Sequence, residues 1–316
     1  MTLQISESRS LAIADRFDTM KEAEPHRLIS RLNLSWSNWV FGSEPLATSV
    51  ARLSRNGVSY IELHGNLYGA DQGYRASEVG PILADHGMSV SGVCGMFSTD
   101  NDLSSRVASE RQRGIDYIRR QVNFTREVGG GYLLIVPGAV GRPVAYDSLE
   151  LDRSAESLTA VAQVFVENDV KGAVEPIRAD EVSLVHTVSD AQSFIELIGH
   201  PGIAHINGDI FHMQASETHV GEAILSAGAQ LVNLHMADSN RRALGAGQMD
   251  IDTVIRALYL IGHNIPGRYV TPEPLGPGAS PYECMWGTPD RRVMDELVGD
   301  TVQYFRERER AVRGEA

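Results

Sequence analysis

Short apolar runs alternate with longer, half-polar stretches along the whole chain. Eight of the runs predict strands: LNLSWSNWVF (32–41), VSYIELHG (58–65), MSVSGVCGMF (88–97), GYLLIVPG (131–138), VKGAVEPI (170–177), GIAHINGD (202–209), QLVNLHMAD (230–238) and RYVTPEPL (268–275). Most are rich in Val, Ile and Leu, as strands covered on both faces are. Between them, apolar residues fall at helical spacing over 104–128 (Ile115, Ile118, Val122, Val128) and 151–168 (Leu151, Leu158, Val161, Phe165). The same spacing recurs over 250–262, with Asp250 placed to cap the first turn, and over 289–311 (Met294, Leu297, Val298, Val302, Phe305). Eight alternations of strand and helix predict an α/β fold, the single-domain (β/α)8 TIM barrel, over residues 31–316. A doubly wound open sheet is the competing layout, and eight repeats over this length are hard to arrange in it. Residues 1–30 fall outside the repeat as a polar, mixed-charge N-terminal arm. TPEPLGPGASPYECMWGTP (271–289), with five prolines and Trp286, predicts a long stiff loop on the C-terminal rim.

Four polar residues stand at the ends of these runs: Glu175, Asp209, His235 and Glu273, spaced by 34, 26 and 38 residues. Each gap is about one strand-loop-helix-loop unit, so successive parallel strands would bring all four to one rim. Any one of them alone is most simply a polar group bonded to a loop. Three carboxylates and an imidazole together are a ligand set for a divalent cation, better matched to Mn²⁺, Mg²⁺ or Co²⁺ than to thiolate-seeking ions, with Zn²⁺ also admissible. Side chains alternate along a strand, so Asn207 shares a face with Asp209, Asn233 with His235, and Thr271 with Glu273. Asn207 is therefore a candidate substrate contact. His212, just past Asp209, and His64, at the end of the second run on the face of Glu62, are candidate acid-base groups. Arg241, six residues past His235, and Arg142, in GAVGRP, are candidate contacts to substrate oxygens. Cys94 reads as core. His26, His86, His186, His200, His219 and His263 read as surface or helix-end residues.

Composition narrows the class. A net charge of −13 over 316 residues disfavours a nucleic-acid partner and an anionic membrane surface. Two distant cysteines, Cys94 and Cys284, read as reduced thiols, and the N-terminus lacks the basic-then-apolar pattern of a signal peptide, so a cytoplasmic protein is expected. No apolar run is long enough to span a bilayer. There is no GxSxG elbow, dinucleotide fingerprint or P-loop.

GDIFHMQ and LHMADSNRRALGAGQ, followed by a strand ending in Glu-Pro, resemble the ketose 3-epimerases of the xylose-isomerase-like superfamily. The resemblance implies that Glu175, Asp209, His235 and Glu273 bind Mn²⁺ or a similar ion. It implies that the two glutamates also move protons, and that His212 and Arg241 hold substrate. PGAVGRP, NRRALGAG and TPEPLGPG, with the longer N-terminal arm, are more similar to the α subunit of bacterial C-glycoside deglycosidases. That similarity implies a hetero-oligomer with a small β subunit. Its chemistry would be removal of the C2 proton of a 3-oxo-C-glycoside with elimination of the aglycone, a carbon-carbon lyase reaction. The alternative is sugar epimerisation through a cis-enediolate. An endonuclease IV-type repair enzyme shares the barrel, but the acidic charge and the single-metal ligand count speak against it. A non-catalytic scaffold subunit is the remaining class.

Overall fold

The computed structural model describes residues 2–65, 73–275 and 287–315. Seven parallel strands pair in chain order: β1 (Tyr60–His64), β2 (Ser89–Cys94), β3 (Tyr132–Ile135), β4 (Lys171–Val174), β5 (Ile203–Asp209), β6 (Leu231–Met236) and β7 (Tyr269–Pro272). Each falls inside a run predicted as a strand. The first predicted strand, 32–41, forms no regular ladder. It breaks into a 3₁₀ turn at Asn38–Phe41, where Phe41 stacks on Trp36 with the ring centroids 6.0 Å apart. Its leading part still stands in the place of the eighth strand. Ser35 N donates to the Val270 carbonyl at 2.8 Å on the β7 side, and Glu62 N donates to the Trp36 carbonyl at 2.9 Å on the β1 side. The result is a nearly closed TIM barrel, sealed by isolated bridges at Leu34–Val270 and Ser37–Glu62.

Helices fill the intervals. They are α2 (Leu46–Arg55), α3 (Ala76–Ala84), α4 (Ala108–Glu127), α5 (Glu150–Thr159), α6 (Ala162–Glu167), α7 (Val188–Ile198), α8 (Ile210–Ser216), α9 (Val220–Ala227), α10 (Ile251–Leu260) and α11 (Arg291–Arg313). The predicted 151–168 helix is two, interrupted at the buried Val161. Asp250 caps α10 as expected, accepting from Thr253 N at 3.0 Å. The arm ahead of the barrel is itself a helix, α1 (Thr2–Ala23). Ile13, Phe17 and Met20 fall one turn apart on one face and are buried, so α1 packs onto the barrel wall beside α9 and α10. Ser10 bridges the caps of both helices, lying 3.2 Å from His219 Nε2 and donating to Asp250 Oδ2 at 3.2 Å. Among the described residues no helix is long and apolar enough to cross a membrane. Trp286, Cys284 and the proline-rich loop from Gly276 to Trp286 lie outside the described residues.

Two buried polar groups away from the rim carry measurable consequences. Arg52 on α2 is 1% exposed; Glu44 accepts from it twice, at 2.6 and 2.7 Å, and the half-exposed Asp295 on α11 accepts once, at 2.6 Å. Glu44→Ala removes the buried counter-charge and is expected to cost about 3 kcal/mol in urea unfolding, because the guanidinium stays buried.

His263 is fully buried rather than a surface residue, its Nε2–H donating to the Tyr269 carbonyl at 2.9 Å. Burial pushes it down to about 4, against the pull of that carbonyl and with the help of Arg268. The unfolded chain therefore binds a proton that the native one refuses. The associated stability is present above about pH 6.5, falls as the pH drops towards 4, and is constant below that. His263→Gln keeps a donor and is expected to remove a pH dependence on the order of 3 kcal/mol between those limits. Urea midpoints of both proteins at neutral and acid pH would show the difference, and parallel pH profiles would refute it.

Candidate metal centre and catalytic rim

The barrel register gathers the quartet. Glu175 follows β4 directly, its N–H on the Ile135 carbonyl at 2.9 Å. Asp209 ends β5 opposite His235 of β6, and Glu273 follows β7 with its N–H on the Met236 carbonyl at 2.9 Å. Gly208, just before Asp209, permits this: a Cβ there would stand 2.8 Å from Leu234 Cδ1 and 2.9 Å from Met213 Cε. Asp209 also caps α8, Oδ1 accepting from Phe211 N at 2.8 Å. All four are buried, and together with His212 their ligand atoms fall into two overlapping groups, Glu175–Asp209–His212 and Asp209–His235–Glu273. Within each group the atoms lie within 4.8 Å of one another. His235 Nδ1 lies 3.1 Å from Glu273 Oε2 and 3.4 Å from Glu175 Oε1.

Beneath the quartet, residues two positions before Asp209, His235 and Glu273 form a buried ladder. Thr271 Oγ1 donates to Asn233 Oδ1 at 2.6 Å, Asn233 Nδ2 to Asn207 Oδ1 at 2.7 Å, and Asn207 Nδ2 to Glu175 Oε1 at 3.1 Å. Asn207 is thus fully covered, and its amide is engaged in holding Glu175. Glu273 is held from the other side by the Trp39 indole N–H at 2.7 Å.

The donor set fits a divalent cation. Asp209 Oδ2 and His235 Nδ1 are buried without a hydrogen bond, although each faces the other members of the cluster. Burial, then Glu273 and Glu175, push the Asp209 carboxyl well above its usual range. Burial, with Glu175 adding to it, raises Glu273 against the pull of His235 and Arg241. Burial alone would lower His235, but the carboxylates, led by Glu273 and Glu62, outweigh it and push the imidazole well up. So much mutual repulsion in a desolvated site is what a dication would relieve.

The other sequence candidates divide. His212 is buried with Nε2 3.3 Å from Asp209 Oδ2. Burial first, then Arg241 and Arg178, push it well below its usual value, so it is a neutral imidazole. The Arg241 guanidinium lies over the rings of Phe211 (4.7 Å) and Trp39 (5.8 Å), with Glu181 3.5 Å and Glu273 3.8 Å away. Its backbone is left-handed at φ 60°, an uncommon state for a residue with a side chain. His64 lies at the end of β1, its ring 4.9 Å from Tyr74 and Nδ1 3.3 Å from the Gly65 carbonyl. It belongs to neither ligand group. Arg142 departs most from expectation. Its guanidinium is buried between Asp102 at 3.0 Å and Glu150 at 2.6 Å, under the Tyr146 ring, which fixes a loop and leaves no free fork for an anion. Glu62, Trp39, Glu181 and Phe211 are the site residues that sequence reading did not assign.

The chain belongs to the xylose isomerase-like TIM-barrel family, whose model matches residues 50–283. An L-ribulose 3-epimerase of Mesorhizobium japonicum is 29% identical over 184 residues, 57% of this chain and 61% of the relative's own length, so less than two thirds of that protein is spanned. The 3-dehydro-D-guloside 4-epimerase of Escherichia coli K12 is 24% identical over 238 residues, 72% of this chain and 87% of that protein. A solved L-ribulose 3-epimerase structure superposes with a TM-score of 0.78 at 22% identity, covering 90% of this chain and 96% of that one, which supports the fold. Both of these relatives are named as sugar epimerases.

Proposed function

We propose that this protein is a divalent-metal-dependent epimerase that inverts the carbinol carbon beside the ketone of a ketose or a keto-glycoside. The observation that carries the reading is that Glu175 and Glu273 flank the same imidazole nitrogen, each held from a different side of the barrel. A cation held by Glu175, Asp209, His235 and Glu273 would supply fixed positive charge where the ketone oxygen becomes anionic. One glutamate takes the proton from carbon, leaving the electron pair in an enediolate. The other glutamate, as its carboxylic acid, returns a proton to the opposite face. Neutral His212 is suited to bond a substrate hydroxyl, and Arg241 to bond an oxygen beside the ketone. The substrate classes come from the names of the two relatives, a ribulose epimerase and a dehydro-guloside epimerase.

Elimination from a 3-oxo-C-glycoside begins with the same proton abstraction. Of the segments that suggested it, GAVGRP holds Arg142 in an internal ion pair, and part of TPEPLGPG lies outside the described residues. The decisive experiment incubates the chain in D₂O with Mn²⁺, Mg²⁺ or Co²⁺ and, separately, a ketohexose, L-ribulose, a 3-keto-O-glycoside and a 3-oxo-C-glycoside. Each is run with and without a co-expressed small partner subunit. Solvent deuterium at the inverted carbon supports epimerisation. Release of aglycone would replace it with the lyase reading, and no exchange with any substrate would sink both.

A further inference from the structure

Glu62 is a carboxylate beside the centre that the reaction above does not use. It sits in the middle of β1, is fully buried, and makes no ion pair with any Lys or Arg among the described residues. Both of its oxygens lie 2.7 Å from His235 Nε2, across the barrel and 173 residues away in sequence. Its own N–H is fixed on the Trp36 carbonyl at 2.9 Å, so the barrel seam sets its depth. A desolvated carboxylate with one imidazole for company is a poor way to fill a core. Apolar side chains of similar volume in place of both partners would often be as stable or more so. What the pair does provide is orientation. In the neutral form that a cation requires, with its one proton on Nε2 and donated to Glu62, the ring would present the Nδ1 lone pair towards Glu175, Asp209 and Glu273. Rotating the ring by a half turn would break both contacts.

We propose that Glu62 is a positioning residue that fixes the tautomer and rotation of His235 for metal binding. The inference rests on the reading of the quartet as a metal centre. Glu62 lies on the Nε2 side of the imidazole and outside both ligand groups, so it acts through His235 and not on the cation directly. Partners of this kind typically change metal affinity by about 10- to 100-fold when removed.

The test is calorimetric titration of Co²⁺ and Mn²⁺ into the wild-type chain, Glu62→Ala, Glu62→Gln and Asp209→Ala, with the visible spectrum of the Co²⁺-loaded forms. Binding by the wild type and its loss in Asp209→Ala establishes the centre. On that background Glu62→Ala is expected to bind about 10- to 100-fold more weakly with altered Co²⁺ bands. Glu62→Gln, which still accepts one bond from Nε2–H, is expected to recover part of the loss and the wild-type bands. If Glu62→Ala fails to fold, the near-isosteric Glu62→Gln carries the test through its weakened affinity. Wild-type affinity and spectrum in the folded Glu62 variants would overturn the proposal while leaving the metal centre standing. A wild type that binds neither ion would overturn the metal reading first, and the proposal with it.

Discussion

Glu175→Gln and Glu273→Gln are each expected to lose epimerase turnover by about 10²- to 10⁴-fold, the usual worth of a positioned acid or base. The more telling result is which half of the reaction survives. If one glutamate serves each face of the substrate carbon, a variant missing Glu175 still has Glu273 to exchange the proton of one epimer with solvent. The variant missing Glu273 would exchange the other. Deuterium wash-in followed by NMR from each pure epimer should therefore show complementary, one-sided exchange in the two variants. Both glutamates are also cation ligands in this reading, so metal content has to be measured alongside and the assays run at saturating Mn²⁺. The surroundings suggest that both variants will fold. In Glu175→Gln the Asn207 amide still finds a side-chain carbonyl to donate to, and in Glu273→Gln the Trp39 indole does the same. Loss of exchange from both epimers in both variants at full metal occupancy would count against a two-base mechanism. Exchange from both epimers in either variant would mean that another group, with His212 the nearest candidate, shares the proton transfer.

The quartet was legible because it depends only on two local regularities. Strand runs end where the parallel barrel turns outward, and side chains alternate, so the spacing of Glu175, Asp209, His235 and Glu273 already implies one rim. The same alternation put Asn207, Asn233 and Thr271 on the inner face. It could not reveal that their amides and hydroxyl face one another, which turns Asn207 from a substrate contact into a support for Glu175. The partnership of Glu62 with His235 was out of reach for a different reason. It spans the barrel between non-adjacent staves, and nothing local to IELHG says which distant strand lies opposite. Trp39 was hidden in a run read as strand, where the backbone instead coils into a 3₁₀ turn and aims the indole at Glu273. Arg142 looked free because its partners Asp102 and Glu150 lie in other segments, and only the fold shows that the three meet. The N-terminal helix was obscured by its mixed charge, although Ile13, Phe17 and Met20 mark its buried stripe.

Asp209→Asn is expected to reverse the stability order of two forms of the protein. Without a cation the wild-type Asp209 is a liability. Its Oδ2 is buried and unbonded, and Glu273 and Glu175 face it. Its carboxyl titrates higher in the native chain than in the unfolded one. The favourable contribution of the protonated form is therefore complete only below the unfolded value near 4, and is lost as the pH rises through the native one. At neutral pH the metal-free wild type thus carries a penalty that asparagine lacks. Asparagine keeps the Oδ1 that caps α8 through Phe211 N, and its amide can donate to the neighbouring carboxylates. In EDTA at neutral pH the variant should be more stable by about 1–3 kcal/mol, the ordinary cost of an unsatisfied buried polar group. With the cation added the order should invert. A ligand at a hundred times its Kd adds about 2.7 kcal/mol to the form that binds it, and a chain missing one anionic ligand binds far more weakly. Urea unfolding of both proteins in EDTA and in excess Mn²⁺ gives the four numbers needed. Equal stabilisation of both by Mn²⁺ would remove Asp209 from the ligand set. A variant less stable than wild type in EDTA would mean that the ionised carboxylate is stabilised by its protein neighbours alone, without help from a cation.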